Sequence, residues 1–324
     1  MKVHLPHGDE PGFLDVLRAG LPPEVELLVG DDPPGCDEAQ VLVEGRPSEE
    51  RLDSCPSLRH VVIPWAGVPE PTLHLLRERS GLSLHVLHHN AAATAEMAVA
   101  LMLAACKRLV PADRELRSGD WSRRYETDQG FILAGRRVLV VGYGSIGRRV
   151  GATCRALGMH VTGVRRRLTG STPDTDIEVR GIEHLRELLP VADVLHVALP
   201  LTEKTRGLIG KEELAALPDG AVVVNVGRGP IIDEEALWSE LSSGRLAGAG
   251  LDVWWQYPTS AEGKTNTAPS RFDFGSLDSV VLSPHRAGHG DATPRRRAEA
   301  LAELLRAAAA GEEVGNRVDL DEGY

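Results

Sequence analysis

Short runs of β-branched and aliphatic residues alternate with amphipathic or alanine-rich stretches along most of the chain. Over residues 1–90 the apolar runs fall at 2–5, 25–29, 41–43, 59–63 and 82–87. Runs of this length read as buried strands, and strands alternating with helical segments imply βαβ units in a parallel sheet. Residues 91–109 contain no glycine or proline, are rich in alanine and meet Pro111 just beyond, which predicts one long helix. A polar, aromatic loop at 118–125 leads into further strands at 138–141, 158–164, 193–198, 221–226, 247–252 and 280–283. Six strands make a complete dinucleotide-binding sheet. A last helix is expected over 292–310, with extended chain from 311 to 324. The polar segment 258–275 is long for a loop in a compact domain, and reads either as a lid or as a disordered excursion.

The second set of strands opens on the most specific pattern in the chain. Val138-Leu139-Val140-Val141 runs straight into Gly142-Tyr143-Gly144-Ser145-Ile146-Gly147, and the residues that follow can continue as a helix. That context separates a dinucleotide-binding loop from a chance glycine triplet. Gly142 permits the tight turn, Gly144 has no Cβ to block a pyrophosphate, and Gly147 lets helix and strand pack closely. The phosphates would lie on the helix N-terminus, which assigns Tyr143, Ser145 and Ile146 to the cofactor as well. Where such folds carry an acidic residue about twenty positions on, this chain has Arg165. Aspartate there would repel a 2′-phosphate, whereas Arg165 and Arg166, with Arg167 behind them, would bind it. NADP(H) is therefore the expected cofactor, with NAD(H) possible; the alternative reading of the three arginines is a solvated loop.

A chain of 324 residues can form two domains of ordinary size. The composition, 42% apolar and 26% charged, is that of a soluble globular protein. A net charge of −11 argues against nucleic acid as a partner, which needs a basic surface. Cys36, Cys55, Cys106 and Cys154 are scattered and no histidines cluster, so no metal site and no disulfide framework are expected. The N-terminus lacks the apolar core of a signal peptide, and the apolar stretch 98–106 is too short to span a bilayer, so a cytoplasmic protein without a membrane segment is expected.

Three segments, 225–230, 250–258 and 283–288, fall where strands should end at their carboxyl edge, the edge where open α/β sheets bind ligands. They carry Arg228, Asp252 and His285 in that order. With Trp65-Ala66-Gly67-Val68, the segment from Asn90 to Glu96, the glycine motif and Leu199-Pro200-Leu201-Thr202, the chain resembles the D-isomer-specific 2-hydroxyacid dehydrogenase family over nearly its whole length. The resemblance implies an α/β fold of two doubly wound parallel-sheet domains. A Rossmann nucleotide-binding domain, 93–287, would be inserted in a flavodoxin-like substrate domain made of 1–92 and 288–324. It also implies a homodimer that reduces a small 2-oxo acid, or oxidises a 2-hydroxy acid, with a nicotinamide cofactor.

By position, Arg228 would bind the substrate carboxylate and polarise the 2-oxo group, a task that suits a fixed, always-charged planar fork. His285 would be the general acid and, in reverse, the base, since imidazole titrates near neutrality. Asp252 would hold the nicotinamide carboxamide, although a carboxylate at a strand end also serves as a cap. Thr94, Leu199, Pro200, Val226 and Gly227 join the cofactor set. Trp65, Ala66, Gly67, Asn90 and Trp121 join the substrate set, and Arg123 and Arg124 beside Trp121 are candidates to receive a second anionic group.

One departure stands out. Most of the family carries Glu-Pro after the aspartate, and that glutamate pairs with the histidine; here the residues are Tyr257-Pro258. A neighbouring carboxylate would raise the pKa of the histidine and set its tautomer. Tyr257 or Gln256 can orient the ring without supplying charge. The expectation is an NADPH-preferring reductase whose activity falls off at lower pH than in glutamate-bearing relatives. The alternative is a nucleotide-binding sensor or assembly protein with little turnover.

Overall fold

The computed structural model describes residues 1–8, 12–126, 130–166 and 177–324. The chain divides into two compact units, Met1–Ala91 with His289–Tyr324, and Ala92–Gly288.

The first unit is built on strands β1 (Lys2–Leu5), β2 (Glu26–Val29), β3 (Val41–Val43), β4 (His60–Ile63) and β5 (Ser83–Val86). All pair in parallel in the order β2-β1-β3-β4-β5, which is the flavodoxin-like order. The alternation of side chains along each strand divides the core in two. Val3, Val41, Val43 and Val62 face one way, and Leu42, Val61, Ile63 and Leu84 face the other. Helix α1 (Phe13–Ala19) covers the first face with Phe13 and Leu17, while α2 (Glu49–Asp53) and α3 (Glu70–Arg77) cover the second with Leu52 and Leu76.

The second unit opens on α4 (Ala91–Cys106). The single long helix expected over 91–109 is instead two. Arg108 adopts a left-handed conformation with φ of 50°, and α5 (Leu109–Arg117) starts immediately after it. Pro111 therefore ends nothing: it sits in the first turn of α5, where its missing N–H would have had no intrahelical acceptor. The loop expected at 118–125 closes as a short 3-10 turn, Ser122–Tyr125.

The second sheet comprises β6 (Arg137–Val141), β7 (His160–Arg165), β8 (Glu178–Gly181), β9 (Val194–Val197), β10 (Val222–Asn225), β11 (Gly248–Leu251) and β12 (Val280–Leu282), all parallel, in the order β12-β11-β10-β9-β6-β7-β8. The six expected strands form within about two residues of the expected ends. The seventh, β8, was not anticipated: Glu-Val-Arg-Gly at a sheet edge carries no apolar run. The central strands are apolar throughout because both faces are covered. On one face lie α4 and α6 (Ser145–Ala156), with Met102, Val150 and Cys154 in the core. On the other lie α7 (Leu185–Leu188), α8 (Lys211–Ala216) and α9 (Glu234–Ser242), with Leu185, Leu214 and Leu237. Small residues on β11 let α4 come close; a Cβ on Gly250 would lie 2.8 Å from that of Leu101.

The chain returns to the first unit in α10 (Thr293–Ala310), which packs Leu301, Ala302 and Leu305 with Leu17 of α1. The extended tail expected after it is partly found. Val86 donates to the Asn316 carbonyl and Val318 to that of Leu84, which covers the open edge of β5, and residues 319–324 then turn back. Among the described residues no helix is long and apolar enough to cross a membrane.

Candidate active site

The order of the second sheet reverses direction between β6 and β9, and the glycine loop sits at that switch point. Gly142 has φ of +101°, and a Cβ on it would stand 2.6 Å from the Ala198 carbonyl at the end of β9. The amides of Gly142 and Tyr143 both donate to the Val164 carbonyl at 2.9 Å, tying the loop to the end of β7 as well. Arg165 is the next residue, the last of β7, and so stands beside the loop; Arg165 and Arg166 are half-buried, and Arg167 lies outside the described residues.

Gly144 caps α6, and a Cβ there would meet no described heavy atom within 4 Å. A Cβ on Gly147 would lie 2.3 Å from the Gly142 carbonyl. The first intrahelical bond runs from Arg148 to Gly144, so helix geometry leaves the amides of Ser145, Ile146 and Gly147 for an anion. Open space above Gly144, facing those amides, fits a pyrophosphate. The Tyr143 side chain is turned away into the core against Gly151 and Gly163, so this residue offers the loop its backbone only.

Beyond β9, Leu199 and Pro200 are half-buried, and the Pro200 carbonyl accepts the Thr205 hydroxyl at 2.7 Å. Thr94 is buried on α4.

At the end of β10 the fully buried Asn225 staples its own turn. Its Oδ1 accepts from the Gly227 amide and its Nδ2 donates to the Arg228 carbonyl, each at 3.0 Å. This Asx-type turn presents Arg228 just past the strand; Asn two residues before Gly-Arg is the signal that would have singled it out. Val226 is buried behind it. Arg228 is half-buried and its Nη1 donates to the Gly227 carbonyl at 2.7 Å. Burial pushes its pKa below the ordinary arginine value, and among the described residues no carboxylate pairs with it. Gly229 brings this loop onto the next, since a Cβ there would lie 2.3 Å from the Trp254 carbonyl.

His285 follows β12 in a tight turn with φ of +52°, a left-handed conformation that costs about 1–2 kcal/mol for a residue with a Cβ. Asp252, at the end of β11, holds that turn in place. Its Oδ1 accepts from the Ser283 hydroxyl and from the Arg286 amide at 3.0 Å, and its Oδ2 accepts from the Ala287 amide at 3.0 Å. Trp254 adds its indole N–H to the Ser283 carbonyl at 2.8 Å. Asp252, Ser283 and Trp254 are all buried, whereas His285 is exposed, so a rigid base carries an accessible imidazole.

Of the two residues able to orient the histidine, the structure selects one. The Tyr257 ring lies 5.5 Å from the His285 ring at 56°, and its hydroxyl accepts the Trp254 amide at 3.1 Å. Gln256 donates its amide to the Pro269 carbonyl and is exposed. Within the segment 258–275, Ser270 and Arg271 bond to Glu234 of α9, and Phe274 is buried, stacked on Trp255.

In the first unit, Trp65, Ala66 and Gly67 follow β4, and Asn90 stands shortly after β5, so all lie toward the carboxyl edge of that sheet. The Trp65 indole seats on Gly45, where a Cβ would overlap it at 1.9 Å. Trp121 is 61% exposed. The Arg123 guanidinium is held by both oxygens of Glu115 at 2.6 and 2.8 Å, with Asp278 at 3.9 Å. Arg124 is exposed beside the Tyr125 ring.

A glycine loop at the switch point of a doubly wound sheet, with a guanidinium and an imidazole at the ends of two strands on either side of β11, is the construction of a nicotinamide-dependent oxidoreductase. The comparisons with known proteins specify which kind. The family model for the D-isomer specific 2-hydroxyacid dehydrogenase NAD binding domain matches residues 99–287, and the chain belongs to that family. It is 31% identical over 313 residues to a glyoxylate reductase of Korarchaeum cryptofilum, covering 94% of this chain and 89% of that one. It is 30% identical over 275 residues to a hydroxypyruvate reductase of Thermotoga maritima, covering 85% and 81%. The structure of a D-isomer specific 2-hydroxyacid dehydrogenase from Xanthobacter autotrophicus, in complex with NADPH and MES, matches with a TM-score of 0.80 and 26% identity over 100% of this chain and 99% of that one.

Proposed function

We propose that the protein is a cytoplasmic, homodimeric, NADPH-preferring reductase of a small 2-oxo acid to the D-2-hydroxy acid. The observation that carries the reading is Arg228: a half-buried guanidinium without a carboxylate partner among the described residues is a site prepared for an anion. When bound, the cofactor supplies the hydride. Arg228 holds the carboxylate of the substrate and draws electron density from its 2-oxo group. His285, held by the turn anchored on Asp252, gives its proton to the oxygen at C2, and takes it back in the oxidative direction. Asp252 retains an acceptor position for the nicotinamide carboxamide beyond the three bonds it makes to the turn. Trp65, Ala66, Gly67, Asn90 and Trp121 remain assigned to the substrate, and Thr94, Leu199, Pro200, Val226 and Gly227 to the cofactor.

Arg165 and Arg166 support NADP(H), as charged partners beside the loop for a 2′-phosphate. Glyoxylate and hydroxypyruvate are the first substrates to try, since these give the two relatives their names. The dimer reading rests on Leu109, Val110, Leu116, Trp121, Tyr125 and Ile132, exposed apolar residues within one stretch of the second unit that a second copy would cover.

The test is a rate matrix of purified protein with NADPH and NADH against glyoxylate, hydroxypyruvate and pyruvate, repeated with Arg228→Gln. NADPH oxidation that Arg228→Gln abolishes supports the reading. Quenching of tryptophan fluorescence by NADPH with no oxidation of it overturns the reading in favour of a nucleotide sensor.

A further inference from the structure

The proton donor assigned above, His285, has the ring of Tyr257 packed against it. Within its unit, Asp252, Arg286 and Tyr257 are charged or titratable groups near His285, and Arg228 adjoins Tyr257. Asp252 is turned to Ser283 and to the amides of Arg286 and Ala287. Arg286 adjoins His285 in the chain and is exposed. Tyr257 is the residue whose ring packs on the imidazole, 5.5 Å between centroids.

We propose that Tyr257 is a positioning residue for His285: its ring, braced through its hydroxyl on the Trp254 amide, fixes the plane of the imidazole and places an uncharged phenol beside the proton donor. This rests on the role given to His285 above. The brace is rigid because Trp254 is itself buried and bonded to Ser283, two residues from His285. Trp254 therefore anchors both, the tyrosine through its backbone amide and the turn that bears the histidine through its indole N–H. Partial burial raises the phenol's pKa above its ordinary value, so Tyr257 stays neutral and attracts no proton to its neighbour.

The experiment compares Tyr257→Ala, Tyr257→Phe and Tyr257→Glu in the full-length protein with NADPH bound. The pKa of His285 is read by imidazole NMR, and kcat and KM for glyoxylate are measured across pH. Tyr257→Ala should lower kcat by about tenfold or more with a smaller change in KM, and Tyr257→Phe, which keeps the ring but loses the hydroxyl brace, should fall between Tyr257→Ala and the wild type. Tyr257→Glu should raise the His285 pKa by about one unit or more and carry the fall in kcat/KM to correspondingly higher pH. The proposal is overturned if Tyr257→Ala matches the wild type, or if Tyr257→Glu leaves the histidine resonances titrating where they did. The NMR reading needs no turnover, so a shifted pKa without any 2-oxo acid reduction would sustain the placement of Tyr257 while overturning the proposed function.

Discussion

The carboxylate of Asp252 and the hydroxyl of Ser283, thirty-one residues apart in the chain, hydrogen-bond where both side chains are almost wholly excluded from solvent. The same carboxylate accepts two backbone amides of the turn that carries His285. A residue that its position in the family pattern assigns to the cofactor thus holds the turn that carries His285.

Asp252→Asn tests which of these roles dominates. The amide replaces an acceptor by a donor facing an amide of the turn, and losing a charge-assisted bond of this kind costs about 1.5–3 kcal/mol, or about 10–100-fold in rate if it falls on the transition state. We expect kcat to drop by that amount while the dissociation constant for NADPH, followed by fluorescence titration, moves by less than about fivefold. An equal loss in nucleotide affinity would place the carboxylate's main work on the cofactor.

The glycine loop separates binding from folding. Gly144 has room for a Cβ and a negative φ, so Gly144→Val should unfold at the same temperature as the parent. Its side chain would occupy the space assigned to the pyrophosphate, and NADPH affinity should fall by about a hundredfold or more. Gly147→Ala places a methyl group 2.3 Å from the Gly142 carbonyl and should instead lower the unfolding midpoint. Thermal melts with and without nucleotide check both outcomes.

Arg165→Asp addresses cofactor choice. The substitution removes a cation at the end of β7 and supplies an acceptor for ribose hydroxyls. The ratio of kcat/KM for NADPH over NADH should fall by about tenfold or more, since one lost charge-assisted bond is worth about that much. An unchanged ratio would return Arg165 to solvent.

His196, on β9, has no exposed surface, and neither ring nitrogen meets a hydrogen-bond partner among the described residues. Burial pushes its pKa down from the ordinary 6.5 to about 4. Below pH 6.5 the unfolded chain takes up a proton that the folded one refuses, so stability is lost as pH falls from there toward 4, and is unaffected by this group above. His196→Leu fills a similar volume without a polar atom. It should be more stable than wild type at pH 7, and its advantage should grow by about 2 kcal/mol at pH 5. Denaturant melts at the two pH values measure this; an advantage independent of pH would show that His196 is not the titrating group.

Much of the fold was legible because it is written in neighbouring residues. The runs at Val138–Val141 and Val222–Val224 are apolar on every position, which in a parallel sheet means burial on both faces. The glycine loop was legible for the same reason: turn, open space and helix contact are each set by one residue at a fixed spacing. The strands that read poorly were those whose environment is not local. β8 is an edge strand of mixed character, recognised as a strand only because β7 stands beside it. The break at Arg108 was hidden because Pro111 is as compatible with the first turn of a new helix as with the end of an old one.

The sequence by itself determined the two parallel sheets, the glycine loop, and the succession of Arg228, Asp252 and His285 along the chain, since each depends on residue type and spacing along a strand or turn. The tertiary structure decided what those side chains meet: that Asp252 clamps the turn of His285, that Tyr257 and not Gln256 faces the imidazole, and that Glu115 already holds Arg123. Periodicity reports which face of an element is buried, but a hydrogen bond across thirty residues exists only where packing brings donor and acceptor within about 3 Å, and no local pattern encodes that distance.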